Sequence, residues 1–149
     1  MSLQDRVTEE IKTAMKQKDT VRLEALRAIK SAILLTNTQS GAAAELKEGE
    51  EIALLQKLVK QRRDSATIYT TQGRKDLAEP ELAQAAIIEE FLPEQMSKEE
   101  IETIVEKVIA ETGAQGMKDM GTVMGKVVSA VAGKADGKTV ADIVKQKLT

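Results

Sequence analysis

The chain of 149 residues carries 22 lysines and arginines against 24 aspartates and glutamates, and it has neither cysteine nor histidine. These absences exclude disulfide-stabilised folds, zinc fingers, and catalysis by Cys–His or Ser–His–Asp groups. The hydrophobic fraction of 42% is enough for a core, but Tyr69 and Phe91 are the only aromatic residues, which favours aliphatic helices packed on helices. The formal net charge of −2 restricts any contact with nucleic acid to a local basic patch.

The first residues lack the basic and apolar regions of a secretory signal. The longest apolar runs, such as residues 32–35, are far shorter than the roughly 20 residues that cross a bilayer. We therefore expect a cytoplasmic monomer that has no membrane partner and requires no metal or other cofactor.

Two helices are predicted before the first long loop. Apolar residues of the first recur at steps of four, four and three, which places them on one face: Leu3, Val7, Ile11 and Ala14. The second helix begins near Asp19 or Thr20, and its inner face repeats in the same way: Leu23, Leu26, Ile29 and Ile33. We expect it to end at Asn37, where a loop begins that extends to Ala44.

The third predicted helix covers about residues 49–72 and ends at Gly73. Its apolar face consists of Leu55, Leu58, Val59, Ala66 and Tyr69. The fourth helix has two alternative starts, because Asp76 with Glu79 forms a capping box while Pro80 suits the first helical position. Pro93 disfavours a helical conformation at the preceding residue and ends this helix.

A second group of helices follows Pro93. Ser97 and Glu100 form a capping box that starts the fifth helix, Gly113 ends it, Gly133 ends the sixth, and the seventh runs to the end of the chain. Their predicted core residues are Ile101, Ile104, Val105, Val108, Ile109, Met120, Val123, Met124, Val127, Val131, Val140, Ile143, Val144 and Leu148. We therefore predict an all-α fold, with a four-helix N-terminal domain (residues 1–92) and a small three-helix C-terminal domain (residues 93–149).

Two glycines in the sixth helix lie four residues apart. Gly121 and Gly125 fit the pattern of small residues that allows two helices to cross closely, so we predict that they face another helix. The glycine-bearing turns at residues 113–116 and 133–137 follow no predicted strand, so they do not indicate a nucleotide-binding loop.

One arginine and one glutamate fall on inward faces of the third and fourth helices. Arg62 lies at the centre of the apolar face of the third helix, and Glu81 lies between apolar residues of the fourth. These helices are antiparallel neighbours, so we predict a buried or half-buried structural ion pair between Arg62 and Glu81. The alternative is that Arg62 extends past the helix interface into solvent.

Four short segments carry a family resemblance. They are KQRRDS at residues 60–65, GRKDLA at 73–78, FLPEQMS at 91–97 and GKADG at 133–137. In this order they resemble the signature segments of the YqeY family, which is similar to the tail of GatB, a subunit of the bacterial aminoacyl-tRNA amidotransferase. Pro80 and Gln84 depart from the pattern, since such sequences usually carry charged residues at these positions.

The resemblance implies a four-helix domain followed by a three-helix domain. In GatB the chemistry belongs to another domain and to a partner subunit, whereas the tail is thought to help hold tRNA. The resemblance therefore implies an accessory module without catalytic residues, for which a carbon–nitrogen ligase label would be inherited from its relative. An independent amidotransferase is disfavoured, because the chain shows neither a nucleophile with its base nor an ATP-binding signature.

The leading functional hypothesis is an RNA-interacting accessory module that binds tRNA-like shapes through phosphate contacts. The candidate contacts are Arg22, Arg27, Lys30, Lys57, Lys60, Arg63, Arg74, Lys118, Lys126, Lys134 and Lys138. Recognition would depend on shape and charge, because the chain lacks exposed aromatic residues for base stacking. The alternative is a protein-interaction module that docks on an amidotransferase or another translation component, with no RNA contact of its own.

Overall fold

The computed structural model describes residues 2–40 and 46–149, and within these ranges the chain is all-α and contains no strand. The elements are α1 (Leu3–Gln17), α2 (Thr20–Ser40), α3 (Glu48–Thr71), α4 (Lys75–Glu89), α5 (Lys98–Thr112), a 3₁₀ turn (Met117–Asp119), α6 (Met120–Val131) and α7 (Gly137–Leu148). The predicted fold class is therefore confirmed. None of the helices described here is both long and apolar enough to span a membrane.

The chain divides into two compact units, Met1–Leu92 and Pro93–Thr149. The first unit contains α1 to α4, whose buried side chains form one core: Leu3, Val7, Ala14, Ala25, Leu26, Ile29, Ile33, Leu55, Val59, Ala85, Ile88 and Phe91. Apart from Phe91 this core is aliphatic, and it gathers the inner faces that the helical period predicted.

Three hydrogen bonds fix the start of helix α1. The Ser2 hydroxyl accepts a hydrogen bond from the Asp5 amide, and the Asp5 carboxylate accepts one from the Ser2 amide, each at 3.2 Å. These hydrogen bonds hold the pKa of Asp5 below its usual value. The Leu3 amide donates to Oε2 of Glu51 at 2.7 Å, which joins the start of α1 to α3.

Helix α2 is longer than the sequence predicted. Residues 37–40 are helical, and residues 41–45 of the predicted loop lie outside the described ranges. The hydroxyl groups of Thr36 and Thr38 donate to carbonyls one turn earlier, Thr36 to Ala32 at 2.9 Å and Thr38 to Leu34 at 2.8 Å. Such hydrogen bonds satisfy the hydroxyl without ending the helix.

Helix α4 begins at Lys75 with Arg74 as its N-cap, so neither predicted start is the observed one: Asp76 lies in the first turn and does not cap the helix. Pro80 lies inside the helix, where it has no N–H to donate to the carbonyl four residues earlier.

The second unit contains α5 to α7, and its core consists of Ile101, Val105, Val108, Val123, Val127, Val131, Ala135, Val140, Ile143, Val144 and Leu148. Ser97 accepts from the Glu100 amide at 3.2 Å at the start of α5, and Gly113 ends that helix with a φ of 66°. The Met96 amide donates to the Lys134 carbonyl at 2.8 Å, which ties the first residues of the unit to the α6–α7 connection.

The predicted close helix crossing at Gly121 and Gly125 is wrong. Both glycines are exposed, and an added Cβ atom at either would meet no atom within 4 Å. Helix α6 instead buries Val123, Val127 and Val131. At 100° per residue, Gly121 and Gly125 each lie about 160° from Val123, on the opposite face of the helix.

Candidate nucleic-acid interface

The basic residues singled out in the sequence fall into two groups. Four of them form ion pairs within the first unit: Arg22, Lys60, Arg63 and Arg74. The remaining seven have no ion-pair partner among residues 2–40 and 46–149: Arg27, Lys30, Lys57, Lys118, Lys126, Lys134 and Lys138. All seven are exposed except Lys30, which is half-buried.

Arg22 is held by carboxylates from two other helices. Its Nη1 lies 2.8 Å from Oε2 of Glu90 at the end of α4, and its Nη2 lies 2.5 Å from Oε2 of Glu10 on α1. The hydrogen bonds to Glu90 and then to Glu10 raise the pKa of Arg22, and only 25% of its side chain is exposed. A phosphate would have to displace both carboxylates, so Arg22 stabilises the fold.

Two of the three candidate phosphate contacts on α3 are neutralised by neighbouring carboxylates. Lys60 lies 2.7 Å from Oδ2 of Asp64 one turn along α3, and Arg63 forms an ion pair with Glu89 of α4. Lys57 remains exposed and has no ion pair among the described residues.

At the start of α4, Nε and Nη2 of Arg74 donate hydrogen bonds to the Asp76 carboxylate, at 3.1 and 2.9 Å. This contact raises the pKa of Arg74 and lowers that of Asp76. Both side chains are exposed, so the pair stabilises the helix start only weakly.

The predicted partner of Arg62 is corrected from Glu81 to Gln84. Nε of Arg62 donates to Oε1 of Gln84 at 3.1 Å, and Nη1 donates to the Leu58 carbonyl at 3.3 Å. Gln84 in turn donates to Oε2 of Glu24 on α2 at 3.3 Å. Arg62, Gln84 and Glu81 are all half-buried, so Arg62 does contribute to the α3–α4 interface, through an amide rather than through an ion pair with Glu81.

The charges of the second unit are segregated along the chain. Helix α5 has five glutamates and two lysines, whereas residues 113–149 have six lysines and three aspartates. Two of these aspartates bind backbone amides: Asp136 caps α7 at 2.7 Å from the Thr139 amide, and Asp119 accepts from the Gln115 amide at 2.8 Å. Lys126 is the one charged residue of α6. The net charge of −1 for residues 93–149 is therefore the sum of an acidic α5 region and a basic segment, residues 113–149.

The described residues form no cluster suited to a metal ion. Among them, no group of three aspartates and glutamates could hold a metal ion, and cysteine and histidine are absent from the sequence. Sequence reasoning also missed Glu10, Glu89 and Glu90, since their role as arginine partners depends on which helices pack together.

Comparison with known proteins decides the family. Residues 4–148 match the family model of YqeY, described as Yqey-like protein. The chain belongs to this family. It is 34% identical over 128 residues to "Altered inheritance of mitochondria protein 41, mitochondrial" of Meyerozyma guilliermondii, a match that covers 80% of this chain and 65% of that protein. The protein of the same name from Pyrenophora tritici-repentis is 29% identical over 132 residues, covering 87% of this chain and 71% of the relative.

Part of the chain is also similar to a larger protein. It is 37% identical over 79 residues to one subunit of the Glutamyl-tRNA(Gln) amidotransferase of Thermococcus gammatolerans, a match that covers 50% of this chain and 13% of the larger protein. The Yqey-like module is non-catalytic, so its family confirms the prediction that the chain is not an enzyme.

The comparison corrects the predicted cytoplasmic location. The Meyerozyma and Pyrenophora relatives are both named as mitochondrial proteins. Our prediction excluded only a secretory signal and a membrane span. A mitochondrial targeting segment has a different pattern, amphipathic and rich in arginine, so the lack of a secretory signal does not indicate a cytoplasmic location.

Proposed function

We propose that this chain is an RNA-interacting accessory module of aminoacyl-tRNA amidation, and that its RNA-binding surface lies in residues 113–149. The observation that carries the proposal is a set of four exposed lysines without ion-pair partners among the described residues: Lys118, Lys126, Lys134 and Lys138. Unpaired lysines can contact phosphates without first breaking contacts inside the protein.

The placement of these lysines supports a shared surface around α6. Lys118 precedes α6, Lys126 lies within it, and Lys134 follows it. Lys138 lies in the first turn of α7, a helix that packs against α6 in the common core. The exposed Gly121 and Gly125 leave the α6 backbone open to the approach of a sugar–phosphate chain, which suits recognition by shape and charge.

The names of the amidotransferase relatives support an RNA partner. The amidotransferase subunits that share sequence with this chain are named for glutamyl-tRNA(Gln), and the match covers a small part of each one. We propose that the shared part contributes to holding RNA and that the chemistry lies elsewhere in those proteins.

The test is binding of total tRNA across a salt series. The variant Lys126→Gln/Lys134→Gln should weaken binding and reduce the slope of log K against log salt by about two units, at roughly 0.9 per duplex phosphate contact. The matched control is Lys98→Gln/Lys107→Gln, which removes the same charge from the same unit but on the glutamate-rich α5. The control should retain the wild-type slope.

The alternative, a protein-docking module, is favoured by two exposed apolar residues of the second unit, Met117 and Val128. It predicts that the lysine variant and the control bind tRNA equally weakly. It also predicts that Val128→Gln impairs capture of a purified amidotransferase.

A further inference from the structure

The last turn of α4 is intrinsically a weak helix end. The amides of Glu90, Phe91 and Leu92 donate to carbonyls three residues earlier, at 3.2, 3.1 and 3.0 Å, and hydrogen bonds of this 3₁₀ type have poorer geometry than those of an α-helix. Glu89 and Glu90 add negative charge where the helix dipole is already negative. This turn therefore needs stabilisation from outside α4.

The usual backbone cap is absent from this end of α4. Helices α1, α5 and α6 finish on left-handed residues, with φ of 57° at Lys18, 66° at Gly113 and 44° at Ala132. The corresponding residue of α4, Glu90, is right-handed, with φ of −60° and ψ of −22°. Its last carbonyls thus lack the cap that closes the other three helices.

Three arginines from the three other helices of the unit contact this turn. Arg63 of α3 forms an ion pair with Glu89, and Arg22 of α2 lies 2.8 Å from Glu90. The Arg6 guanidinium of α1 lies over the Phe91 ring, 5.2 Å from its centroid. These contacts fall on three consecutive residues, and we name Arg6, Arg22 and Arg63 the arginine clamp.

We propose that the arginine clamp is a salt-sensitive latch that keeps residues 89–92 folded. The ion-paired side chains are 25–53% exposed, so dissolved salt can screen them, whereas the core beneath is aliphatic. Screening the clamp lowers the free energy needed to open the last turn, which withdraws Phe91 from the core while the helices that carry the other core residues stay folded. Opening then releases up to four residues that precede Pro93.

Amide hydrogen exchange of the full chain, read residue by residue by NMR, tests the latch. In Arg22→Gln/Arg63→Gln at low salt, the amides of Phe91 and Leu92 should exchange about tenfold faster than in the wild type, as expected for the loss of exposed ion pairs. Raising the salt to about 1 M should accelerate these amides in the wild type and leave the variant nearly unchanged.

The control variant is Lys60→Gln/Arg74→Gln, which removes two positive charges and two exposed ion pairs of the same unit but leaves the end of α4 intact. It should retain wild-type exchange at Phe91 and Leu92. The latch is disproved if the clamp variant exchanges as slowly as the wild type, or if salt has no effect on the wild type. Equal acceleration of the buried core amides of Ile29 and Val59 would also overturn it, since the arginines would then stabilise the whole unit.

Discussion

Arg62 and Gln84 lie at equal distances along the chain, eleven residues, from Gly73 in the α3–α4 turn, and Nε of Arg62 donates to Oε1 of Gln84 at 3.1 Å. In an antiparallel helix pair, equal distances from the turn place two residues at the same level. Glu81 is only eight residues beyond Gly73, about 4.5 Å short of that level at 1.5 Å per residue. The helix register therefore places the Gln84 amide, and not the Glu81 carboxylate, at the level of Arg62.

Replacing Arg62 by Ala should lower the free energy of unfolding by about 1 kcal/mol, because it removes a half-buried hydrogen bond and leaves the Gln84 amide oxygen without that donor. The matched control is Glu81→Gln, which should change stability by less than about 0.5 kcal/mol, the usual range for surface positions. Urea denaturation followed by circular dichroism measures both. A larger loss of unfolding free energy from Glu81→Gln than from Arg62→Ala would mean that Arg62 and Glu81 form the ion pair that the sequence predicted.

The fold could be predicted because its signals are local. The helical period, the Ser97 cap and the turn at Gly113 depend on residues close together in the chain, and each occurs where it was expected. The predicted α2 end at Asn37 was wrong because a polar residue such as Thr38 can also lie inside a helix, where its hydroxyl donates to the Leu34 carbonyl.

The candidate site was only partly predictable, for the opposite reason. Exposure of a lysine follows from its position on a helix, but the pairing of Arg22 with Glu90 joins residues 68 apart in sequence. Such a pair depends on helix packing, which the periodicity of a single helix does not specify. The prediction that Gly121 and Gly125 face another helix was wrong for the same reason. Their spacing indicates that they share a face of the helix, but it does not indicate which face is buried.

Replacing Gly125 by Ala should stabilise the second unit by up to about 1 kcal/mol, since the site is open and alanine is the better helix former. The contrasting variant is Gly113→Ala, which should destabilise because Gly113 adopts a φ of 66° that alanine tolerates poorly. Thermal melting of both variants is the measurement. A lower melting temperature for Gly125→Ala would mean that another part of the protein packs on this face of α6.

The ion pair between Lys147 of α7 and Glu106 of α5, at 2.7 Å, should give a pH dependence on the alkaline side. The hydrogen bond to Glu106 raises the pKa of Lys147 above its usual value of 10.5. The charged lysine therefore contributes stability below that pH, and the contribution is lost as the pH rises through the folded-state pKa. NMR titration of the Lys147 ammonium should show the pKa falling toward its usual value in Glu106→Gln, whereas Glu111→Gln should leave it unchanged.

Asp136 should be the most sensitive carboxylate of the second unit to replacement. It accepts from both the amide and the hydroxyl of Thr139, at 2.7 and 3.0 Å, and so caps α7. Asp136→Ala should cost about 1 kcal/mol, the typical value of an N-cap, whereas the exposed Asp142→Ala in the same helix should cost far less. Equal denaturation midpoints for the two variants would contradict this role of Asp136.

The last prediction separates the first unit from the second in RNA binding. The α3 residues Lys57, Lys60 and Arg63 would give a change of about three units in salt slope if each met a phosphate, at roughly 0.9 per contact. Because Lys60 is paired with Asp64 and Arg63 with Glu89, replacing all three by Gln should change the slope by no more than about one unit, the share of Lys57. Fluorescence anisotropy with labelled tRNA measures the slope. A change of about three units would mean that RNA displaces both carboxylates and that the first unit takes part in the interface.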